Sequence, residues 1–528
     1  MASQPSDPAG FAGSLVADAL IAKLAVLLGP AAVLTDAANL ALYAQDVFSR
    51  GPIPRVVIRP RDSESLAAAV GMVTRAGVAV VPRGGGMSYT GGYLAPSPGH
   101  IVVDTAAMNR ILAIDPVNMT VTVEAGCTWA NLYAALHPLG LRPPAWGTLS
   151  GRYATIGGGM SQNALFWGAG SGTAVDSALS FTVVLADGTL MRTGSDFFRP
   201  FGPDLTGLFA ADTGALGVKA TVTLRLQREA THFSFASFSF PTANAILGAI
   251  SDVAREGLAS EVCGFDPFLQ AQRMQRESLG ADAKALIGVM KAQGTLLGAV
   301  REGASVVAAG RSFLDGVPFS AHFTCEGRTQ SRCNDDAAAI SAIALRHGGS
   351  AVENTIPKVM RANPFGPVNS MLGPKGERWV PVHGIVLHGD AVRIVDQITA
   401  LYAENAGEMT EHGIGAGYMF AIAGTTGVLI EPVFFWPDAI DLLHLASVEP
   451  AHLARLPRFA ANANARGVVE RLRTALVALF GAAGAIHLQI GRTFPLLARH
   501  EAGAAALLRS IKAHVDPHGM MNPGSLGL

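Results

Sequence analysis

The sequence predicts an α+β fold divided between two domains and a short C-terminal segment. Strand-like apolar runs and helical periods are interleaved along the chain. Glycine clusters fall between the strand-like runs of the first part, and the pattern changes near residue 232. With 528 residues, 49% of them apolar and 15% charged, the chain is long enough for two or three domains with a large buried core.

The N-terminal region, up to about residue 50, predicts a helical lead-in. Its apolar run from Leu15 to Leu34 is interrupted by Asp18, Lys23 and Pro30, which favours an amphipathic helix and a turn over a membrane span. The N-terminus shows no basic segment followed by an apolar core and a cleavage site. We therefore expect no signal peptide and a cytoplasmic protein.

A strand, a helix and a second strand are predicted between Val56 and Val81. Asp62 or Ser63 caps that helix, predicted over Ser63 to Ala76, and Glu64 lies in its first turn. The Asp187-Gly188 pair predicts a hairpin turn. The further strands predicted in this domain cover 101–104, 120–124, 179–185, 190–193 and 220–226.

The chain after about residue 232 predicts a second, substrate-side domain. The predicted boundaries are 1–235 for the first domain, 236–484 for the second and 485–528 for the C-terminal segment. The elements predicted here are a strand over 233–240, strand-like runs over 379–388 and 417–436, helices over 243–256, 282–299 and 468–480, and a loop over 364–375.

Three glycine clusters carry the first functional signal. They are Pro82-Arg83-Gly84-Gly85-Gly86-Met87-Ser88-Tyr89-Thr90-Gly91-Gly92, Ile156-Gly157-Gly158-Gly159-Met160-Ser161-Gln162-Asn163-Ala164 and Gly214-Ala215-Leu216-Gly217-Val218. Because glycine lacks a Cβ, backbone N–H groups in such loops can approach a phosphate closely. Three of these loops in one domain indicate a pyrophosphate-bearing cofactor in an extended pose. They do not form the Gly-x-Gly-x-x-Gly pattern of a Rossmann fold.

Charge and cysteine content exclude several other classes. A formal net charge of -1 argues against nucleic acid or an anionic membrane as the main partner. None of the four cysteines forms a Cys-x-x-Cys pair, so a zinc ribbon or a redox dithiol is not expected. We expect free thiols in a reducing compartment. The cysteines are Cys127, Cys263, Cys325 and Cys333.

The order of these motifs resembles the vanillyl-alcohol oxidase / p-cresol methylhydroxylase (PCMH) superfamily, which includes FAD-linked D-lactate and glycolate dehydrogenases. The resemblance runs from Tyr43 through Pro54-Arg55-Val56-Val57 to Val515-Asp516-Pro517-His518-Gly519-Met520-Met521-Asn522-Pro523-Gly524. It implies a two-part PCMH-type FAD-binding domain and a cap domain with an antiparallel sheet flanked by helices. It also implies an FAD-linked oxidase C-terminal segment that returns to the FAD domain.

The resemblance implies FAD as the cofactor. Relatives that attach the flavin covalently use a histidine, cysteine or tyrosine, but Gly86-Met87 and Arg378-Trp379 offer no suitable nucleophile at the matching places. We therefore expect non-covalent FAD. The implied FAD-binding residues are Pro82, Arg83, Gly84, Gly85, Gly86, Met87, Ser88, Gly91, Gly92, Pro144, Thr148, Thr155, Ile156, Gly157, Gly158, Asn163, Gly172, Asp176, Gly217, Val218 and Asn522.

Five residues are candidates for the chemistry. Relatives place an arginine at Arg492, where a permanent planar charge suits a phenolate or a carboxylate. His383 and His487 are candidate acceptors for the proton of a substrate hydroxyl. Tyr418 and Glu431 belong to a strand pair, and a carboxylate among so many apolar residues indicates pairing or function.

Neither branch of the superfamily is matched in full. At the place of the hydroxy-acid branch's Gly-Glu-His-Gly-Ile-Gly metal motif stands Ala485-Ile486-His487-Leu488-Gln489-Ile490-Gly491. The phenol-oxidising branch has tyrosines where this chain has Gly491 and Thr90, although Tyr89 and Tyr418 could substitute. We expect no metal, and the alternative is a site of His383, His388 and His487.

The resulting hypothesis is an FAD-dependent oxidoreductase that takes a hydride from an alcohol-type or benzylic carbon of a small, phenolic substrate. The first alternative is a D-2-hydroxy-acid dehydrogenase or oxidase with metal assistance. The second is a flavin-binding protein without activity. The electron acceptor is oxygen or another redox partner, and relatives suggest a homodimer.

Overall fold

A computed structural model describes residues 8–276 and 318–528. The helix predicted over 282–299 lies outside this range. The described helices are α1 (Pro8–Leu28), α2 (Ala37–Tyr43), α3 (Ser63–Arg75), α4 (Trp129–Leu136), α5 (Ile156–Gln162), α6 (Leu205–Phe209), α7 (Ala243–Glu256), α8 (Pro267–Arg276), α9 (Gln330–Arg346), α10 (Thr355–Ala362), α11 (Ala391–Glu404), α12 (Ala406–Glu411), α13 (Leu442–Ser447), α14 (Pro450–Leu453), α15 (Ala463–Ala482), α16 (Leu496–Arg499) and α17 (Ala502–Val515).

Most of the described strands belong to three large sheets. They are β1 (Val33–Leu34), β2 (Val56–Ile58), β3 (Val80–Arg83), β4 (Ile101–Asp104), β5 (Ile111–Asp115), β6 (Thr120–Glu124), β7 (Leu141–Arg142), β8 (Ala178–Val184), β9 (Leu190–Arg192), β10 (Val218–Arg225), β11 (Gln227–Arg228), β12 (His232–Phe240), β13 (Glu261–Phe265), β14 (Phe319–Gly327), β15 (Ser350–Ala351), β16 (Arg378–Pro381), β17 (Gly384–Leu387), β18 (Gly415–Ala423) and β19 (Gly427–Trp436). The α+β prediction is confirmed.

The first sheet has the order β1-β2-β4-β3, and β4 runs parallel to both β2 and β3. Helix α3 connects β2 to β3, which lie on either side of β4, and so supplies a crossover of the kind that parallel strands need. The Asp62 side chain accepts a hydrogen bond from the Ser65 backbone N–H, so Asp62 is the N-cap as predicted. Apolar residues of α3 and of the strands form one core beneath this sheet.

The second sheet is antiparallel, with the order β5-β6-β10-β8-β9. Strands β8 and β9 pair across the predicted Asp187-Gly188 turn. Helices α4 and α5 contribute Trp129, Leu132 and Ile156 to its core. Glycine-rich α5 is thereby fixed against the sheet by its apolar side chains.

The third sheet has eight strands in the order β15-β12-β14-β13-β18-β19-β16, with β17 also paired to β19. Helices α7, α9, α11 and α15 pack against its strands. Tyr418, Phe420 and Ile422 of β18 belong to the core that includes residues of these helices. Because side chains alternate along a strand, Met419 and Ala421 lie on the opposite face.

The strand-like run over 379–388 is two short strands, not one. Val380 and Pro381 of β16 pair with Phe434 and Val433, the Val382 N–H donates to the Pro432 carbonyl at 2.8 Å, and Gly384 of β17 pairs with Ile430. The register is therefore unchanged from one strand to the next, and His383 lies between them. Side chains alternate here, because Val380 and Val382 belong to the core under the helices while His383 lies on the opposite face.

The C-terminal segment lies against the first sheet. The Val80 N–H donates to the Met520 carbonyl at 2.8 Å, and the Asn522 N–H donates to the Val80 carbonyl at 2.8 Å. The Lys512 ammonium is buried and donates to the carbonyl oxygens of Ala215 and Met521 and to the Asp516 carboxylate, at 2.6–2.8 Å. One side chain thus joins α17 to the glycine cluster before β10.

Within residues 8–276 and 318–528, we find no helix that combines the length and the apolar character needed to cross a membrane.

Replacing Lys512 with Met should destabilise the fold by about 3–5 kcal/mol, because it leaves a buried carboxylate without its partner. Chemical denaturation of K512M measures this loss. Lys23→Met is the matched control, since Lys23 is exposed and should change stability little. An unchanged denaturation midpoint in K512M would contradict the role assigned to this ammonium.

Candidate functional site

An elongated cavity lies between the glycine clusters and the third sheet. It encloses about 1940 Å³ of empty space, including the part that opens to solvent. One end is lined by residues around β3 and α5, and the other by side chains of β18 and β19. The cavity therefore has one end lined mainly by backbone and another lined mainly by side chains. The first end suits part of a long cofactor, and the second suits a small substrate.

Close packing explains the glycines at the first end. A Cβ on Gly85 would overlap the Tyr153 carbonyl oxygen, and a Cβ on Gly157 would lie 2.5 Å from the Ala125 Cβ. The first two glycine clusters can line the same space only without side chains at these positions. Because these positions carry no Cβ, the two backbones pack closely and form a cradle of bare backbone beside the cavity, as a pyrophosphate site requires.

Several buried polar atoms at this end have no partner within the part of the chain that the structure describes. They are Arg83 Nε, Gln162 Oε1 and Thr213 Oγ1, and all three residues line the cavity. A buried polar atom is costly unless it has a hydrogen-bond partner. The donors and acceptors present here fit a cofactor with phosphate, ribose and amide groups.

Five successive carbonyls shape the loop Ser88–Gly92, which closes the first glycine cluster. Each accepts a hydrogen bond from outside the loop. The donors, in order along the loop, are Val47 N–H, Arg473 Nη2, Arg492 N–H, Arg492 Nη1 and Asn522 Nδ2. The Asp46 carboxylate also accepts from the Gly91 N–H at 2.7 Å. This loop is therefore held in one conformation beside the cavity.

Thirteen of the predicted FAD-binding residues line the cavity. They are Pro82, Arg83, Gly84, Gly85, Gly86, Met87, Ser88, Gly92, Thr148, Thr155, Gly157, Gly158 and Val218. The cavity brings them together from three separate parts of the chain.

The other eight predicted FAD-binding residues are not in the cavity wall. They are Gly91, Pro144, Ile156, Asn163, Gly172, Asp176, Gly217 and Asn522. Several have structural tasks instead. Asp176 accepts hydrogen bonds from Thr173 in a local turn, and Asn522 donates to the carbonyls of Gly92 and Thr213 at 2.8 and 2.7 Å. Asn522 therefore supports the wall from behind.

The sequence prediction missed other residues of the cofactor end, among them Gln162, Thr213 and Lys219. The Lys219 ammonium lies 2.6 Å from the Asp212 carboxylate, and both side chains are buried. A signal was available, because Thr213 and Lys219 directly flank the third glycine cluster.

The other end of the cavity is one face of the third sheet. Its lining side chains alternate along β18 and β19, and the polar one among them is Glu431. The set consists of Met419, Ala421, Leu429, Glu431, Val433 and Phe435. Glu431 thus faces the cavity, and its part in the chemistry stays a prediction.

Tyr89 stands where this sheet meets the first glycine cluster. Its ring contacts Trp379 and His383 edge-on, with centroid distances of 5.9 and 6.1 Å. Its hydroxyl oxygen accepts a hydrogen bond from Gln489 Nε2 at 3.2 Å. Burial and, next, the charge of Glu431 raise the pKa of Tyr89 well above its ordinary value, so the phenol stays neutral.

His383 lines the cavity and is neutral at neutral pH. Its Nε2 lies 2.7 Å from the Leu488 carbonyl oxygen, which can only accept, so Nε2 carries the hydrogen and Nδ1 has the free lone pair. Nδ1 is buried without a partner among the described residues. Burial lowers the pKa of His383 to about 4. The ring can therefore accept a proton.

The sequence prediction made Arg492 the substrate clamp, but the structure places its guanidinium against backbone carbonyls and Asn522. Its Nη1 donates to the Gly91 carbonyl at 2.6 Å, and its Nη2 donates to Asn522 Oδ1 and the Pro523 carbonyl at 2.8 and 2.7 Å. The residue is not part of the cavity wall. Its charge serves to hold backbone, and burial lowers its pKa to about 10.

Tyr418 and His487 also lie away from the cavity. The Tyr418 hydroxyl is 3.0 Å from Thr399 Oγ1 on α11, on the helix-covered face of the sheet. His487 stacks on Phe494 with ring centroids 3.8 Å apart, and its Nδ1 donates to the His383 carbonyl. The predicted catalytic contact is corrected for both, and His487 instead positions the backbone of His383.

The alternative metal set is not assembled. His388 Nε2 bonds the Thr425 carbonyl at 3.0 Å, and His383 and His487 bond backbone carbonyls, with ring centroids 6.4 Å apart. Across the described ranges, three or more histidine, cysteine or carboxylate side chains are not grouped in a way that could hold a metal ion.

Two family models match this chain, and both describe proteins that bind or use FAD. The family model "FAD binding domain" matches residues 54–194, and the model "FAD linked oxidases, C-terminal domain" matches residues 454–526. Two stretches of the chain thus match these domain models. The suspected superfamily and FAD as the cofactor are thereby confirmed.

Similar proteins of known name match part of the chain. D-lactate dehydrogenase [cytochrome] of Arabidopsis thaliana is 34% identical over 218 residues, which is 40% of this chain and 36% of that protein. Glycolate oxidase subunit GlcD of Bacillus subtilis is 33% identical over 177 residues, 33% of this chain and 37% of that protein. The chain thus matches little more than a third of the length of these relatives.

Solved structures match the whole fold at low identity. p-Cresol methylhydroxylase aligns with a TM-score of 0.72 and 16% identity, covering 97% of each chain. Alkyldihydroxyacetonephosphate synthase aligns with a TM-score of 0.66 and 14% identity, covering 99% of this chain and 86% of that one. Both show that the two-domain PCMH-type fold is shared.

Replacing Gly85 with Ala should abolish FAD retention, because the added Cβ overlaps the Tyr153 carbonyl and opens the cradle. The absorbance ratio of flavin to protein after purification measures this. Gly389→Ala is the control, since a Cβ there meets nothing within 4 Å. Circular dichroism of G85A separates loss of the cofactor from loss of the fold. Full flavin occupancy in G85A would contradict the cradle.

Proposed function

We propose that this protein is an FAD-dependent oxidoreductase that removes a hydride from an alcohol-type or benzylic carbon of a small aromatic substrate. The observation that carries the proposal is the continuous cavity, which runs from the FAD cradle to an apolar sheet face with a few convergent polar groups. Such a combination is typical of a substrate site beside a cofactor.

The composition of the substrate end supports an apolar, aromatic substrate. Its wall includes Leu269, Met371 and Trp379 besides the β18 and β19 side chains. The few polar groups among them are Tyr89, His383, Glu431, Gln489 and Ser370, and so small a set suits a ring that bears one or two oxygens. Edge-to-face contacts between aromatic side chains of the wall and a substrate ring would further stabilise binding.

The charges of the wall argue against a carboxylate as the main recognition group. Among the described lining residues, the cations are Arg83 and Lys219, and both belong to the cofactor end. Arg83 lies over the rings of Tyr43 and Tyr93, and Lys219 is paired with Asp212. A substrate carboxylate would instead meet Glu431, whose like charge repels it.

His383 is the proposed acceptor of the hydroxyl proton. FAD, when bound, supplies the hydride-accepting ring of the reaction. The neutral imidazole keeps a free lone pair on Nδ1 because Nε2–H is fixed by the Leu488 carbonyl. Glu431 lines the same cavity and offers a second acceptor that can orient a substrate hydroxyl. Removal of the proton from the oxygen makes loss of hydride from its carbon easier.

A D-2-hydroxy acid is the second candidate substrate. The names of relatives favour it, since D-lactate dehydrogenases, a glycolate oxidase subunit and a D-2-hydroxyglutarate dehydrogenase all match parts of this chain. It requires a cation for the carboxylate at the substrate end. A hydroxy-acid enzyme that uses a metal should lose activity with a chelator.

Three further properties remain proposals. FAD is held without a covalent bond, because neither place where relatives attach the flavin offers a nucleophile. Gly86 and Met87 have no suitable side chain. The Arg378 side chain donates to Asp441 and to the carbonyls of Val47 and Phe48 in the loop after α2. Release of yellow flavin by acid precipitation tests this. The acceptor of the electrons is oxygen or another partner, and a homodimer is proposed from the superfamily resemblance.

Anaerobic absorbance titration of the flavin-loaded protein tests the substrate class. One panel contains benzyl-type alcohols with and without ring oxygens, and the other contains D-2-hydroxy acids. Bleaching of the flavin by the first panel supports the aromatic proposal. Bleaching by the second panel alone would replace it with the hydroxy-acid function, and a flavin that neither panel bleaches would favour a binding protein without activity.

Replacing His383 with Gln should slow flavin reduction by about 100-fold or more, the usual size of a general-base contribution. In the wild type the rate should be flat near neutral pH and fall as the pH approaches about 4, where His383 gains a proton. Stopped-flow reduction across pH measures both effects. His388→Gln, outside the cavity wall, is the control and should keep the wild-type profile. An H383Q rate close to wild type would exclude this base.

A further inference from the structure

A column of aromatic rings connects the cavity wall to the surface of the first domain. Phe166 lines the cavity, and its ring contacts Trp167 edge-on with centroids 5.0 Å apart. Trp167 stacks on Trp146 at 5.0 Å, and Trp146 stacks on Tyr133 at 5.5 Å. The outermost ring, His137, stacks on Tyr133 at 4.9 Å and is exposed. Trp167, Trp146, Tyr133 and His137 form the ring column.

Backbone pairing fixes the two indoles of the ring column. The Trp146 N–H donates to the Trp167 carbonyl, and the Trp167 N–H donates to the Gly147 carbonyl, both at 3.0 Å. Trp146 and Trp167 are 3% and 2% exposed. The other two rings lie one above the other, because Tyr133 and His137 are four residues apart at the end of α4. Local backbone geometry therefore holds all four rings in contact.

The charges around the buried part of the ring column are balanced. The guanidinium groups of Arg142 and Arg361 lie over the Trp146 ring, at 5.6 and 4.7 Å from its centroid. Glu326 pairs with both arginines, and Glu261 pairs with Arg361 at 3.5 Å. Two carboxylates thus offset two cations. This balance matters because an indole that loses an electron becomes positively charged.

Other oxidisable rings at the cavity do not continue to an exposed ring in the described part of the chain. Indole and phenol rings give up an electron more readily than phenyl or imidazole rings. Tyr89 and Trp379 line the cavity, and their ring contacts are with each other and with His383. The further ring contacts of His383 are with His487 and Phe494, which are both buried. The ring column differs from this set because it ends at the surface.

We propose that Trp167, Trp146 and Tyr133 form an electron relay that carries an oxidising equivalent from the cavity to the surface. The inference depends on FAD as the cofactor and is independent of the substrate class. FAD that has absorbed blue light is a strong one-electron oxidant. Trp167 supplies one electron to this oxidant, Trp146 refills Trp167, and Tyr133 refills Trp146. One phenyl ring, that of Phe166, separates Trp167 from the cavity, a gap that an electron crosses by tunnelling.

The electron deficit ends at Tyr133, because a phenol loses a proton together with the electron. Burial and, next, the charge of Glu229 raise the pKa of Tyr133, so the phenol carries its proton before it is oxidised. Tyr133 is only half-buried, and the proton passes to water. A thiol in solution then donates a hydrogen atom to the tyrosyl radical and restores the phenol. The relay thereby moves a reactive radical from the cavity wall to a place where reductants reach it.

Anaerobic flash photolysis of the FAD-loaded protein tests the relay. Blue-light excitation should produce the absorption of a neutral tyrosyl radical in the wild type, and Tyr133→Phe should lose it. Trp146→Phe should also lose the radical, because it interrupts the ring column between the cavity and Tyr133. The absence of a tyrosyl radical in the wild type, or an unchanged radical in Y133F or W146F, would overturn the proposal.

Trp129→Phe is the matched control for W146F. Both indoles are buried in the first domain, and neither indole N–H has a partner among the described residues. Trp129 is outside the ring column, so W129F should keep the wild-type radical, and its loss there would contradict a path through Trp146. Equal flavin-to-protein absorbance ratios show that each variant retains FAD. Y133F changes a half-buried residue and tests the relay even where W146F does not bind the cofactor.

A nitroso spin trap locates the radical by a second readout. The trap bonds covalently to an accessible tyrosyl radical, and peptide mass spectrometry identifies the modified residue. After illumination the wild type should carry the adduct on Tyr133, and W146F should carry none there. An adduct on Tyr89 in place of Tyr133 would assign the electron to another path and overturn the relay. Neither readout needs a substrate, so failure of the relay leaves the proposed function untouched.

Discussion

The loop Ser88–Gly92 depends on five hydrogen bonds to successive carbonyls, and the cavity depends on that loop. The donors come from the N-terminal region, from α15 and from the C-terminal segment, so distant parts of the chain set one short conformation. A buried carbonyl without a donor is costly, which makes each of these contacts matter. The direction of Tyr89 and the close approach of the glycine backbones both follow from this arrangement.

Charge is distributed unevenly along the cavity, and the proposed chemistry follows from that distribution. The cofactor end combines bare backbone with Arg83 and Lys219, which suits a phosphate-bearing ligand. The substrate end combines apolar walls with neutral donors, one neutral imidazole and one carboxylate. An uncharged aromatic alcohol fits this second environment without a counter-ion, whereas an acid would need one.

Local signals in the sequence predicted local structure well. Asp62 before an amphipathic helix and Asp187-Gly188 between strands act through neighbouring backbone, so the residues alone were sufficient. The candidate site was harder, because its residues are defined by faces and contacts across the fold. Arg492 and Tyr418 have suitable chemistry but point to backbone and to α11. Tyr89 and Gln489 are far apart in sequence, and no periodicity relates them.

Side chains alternate along β18 and β19, so substitutions on the two faces of this hairpin have different effects during evolution. Residues such as Met419 and Leu429 touch the cavity, while Phe420 and Ile430 pack under the helices. Exchanges at the first kind of position can reshape what the cavity admits while leaving the helix-packed core intact. Substrate preference can therefore change during evolution through single substitutions at every second residue of these strands. Such substitutions need no prior gain in the stability of the fold.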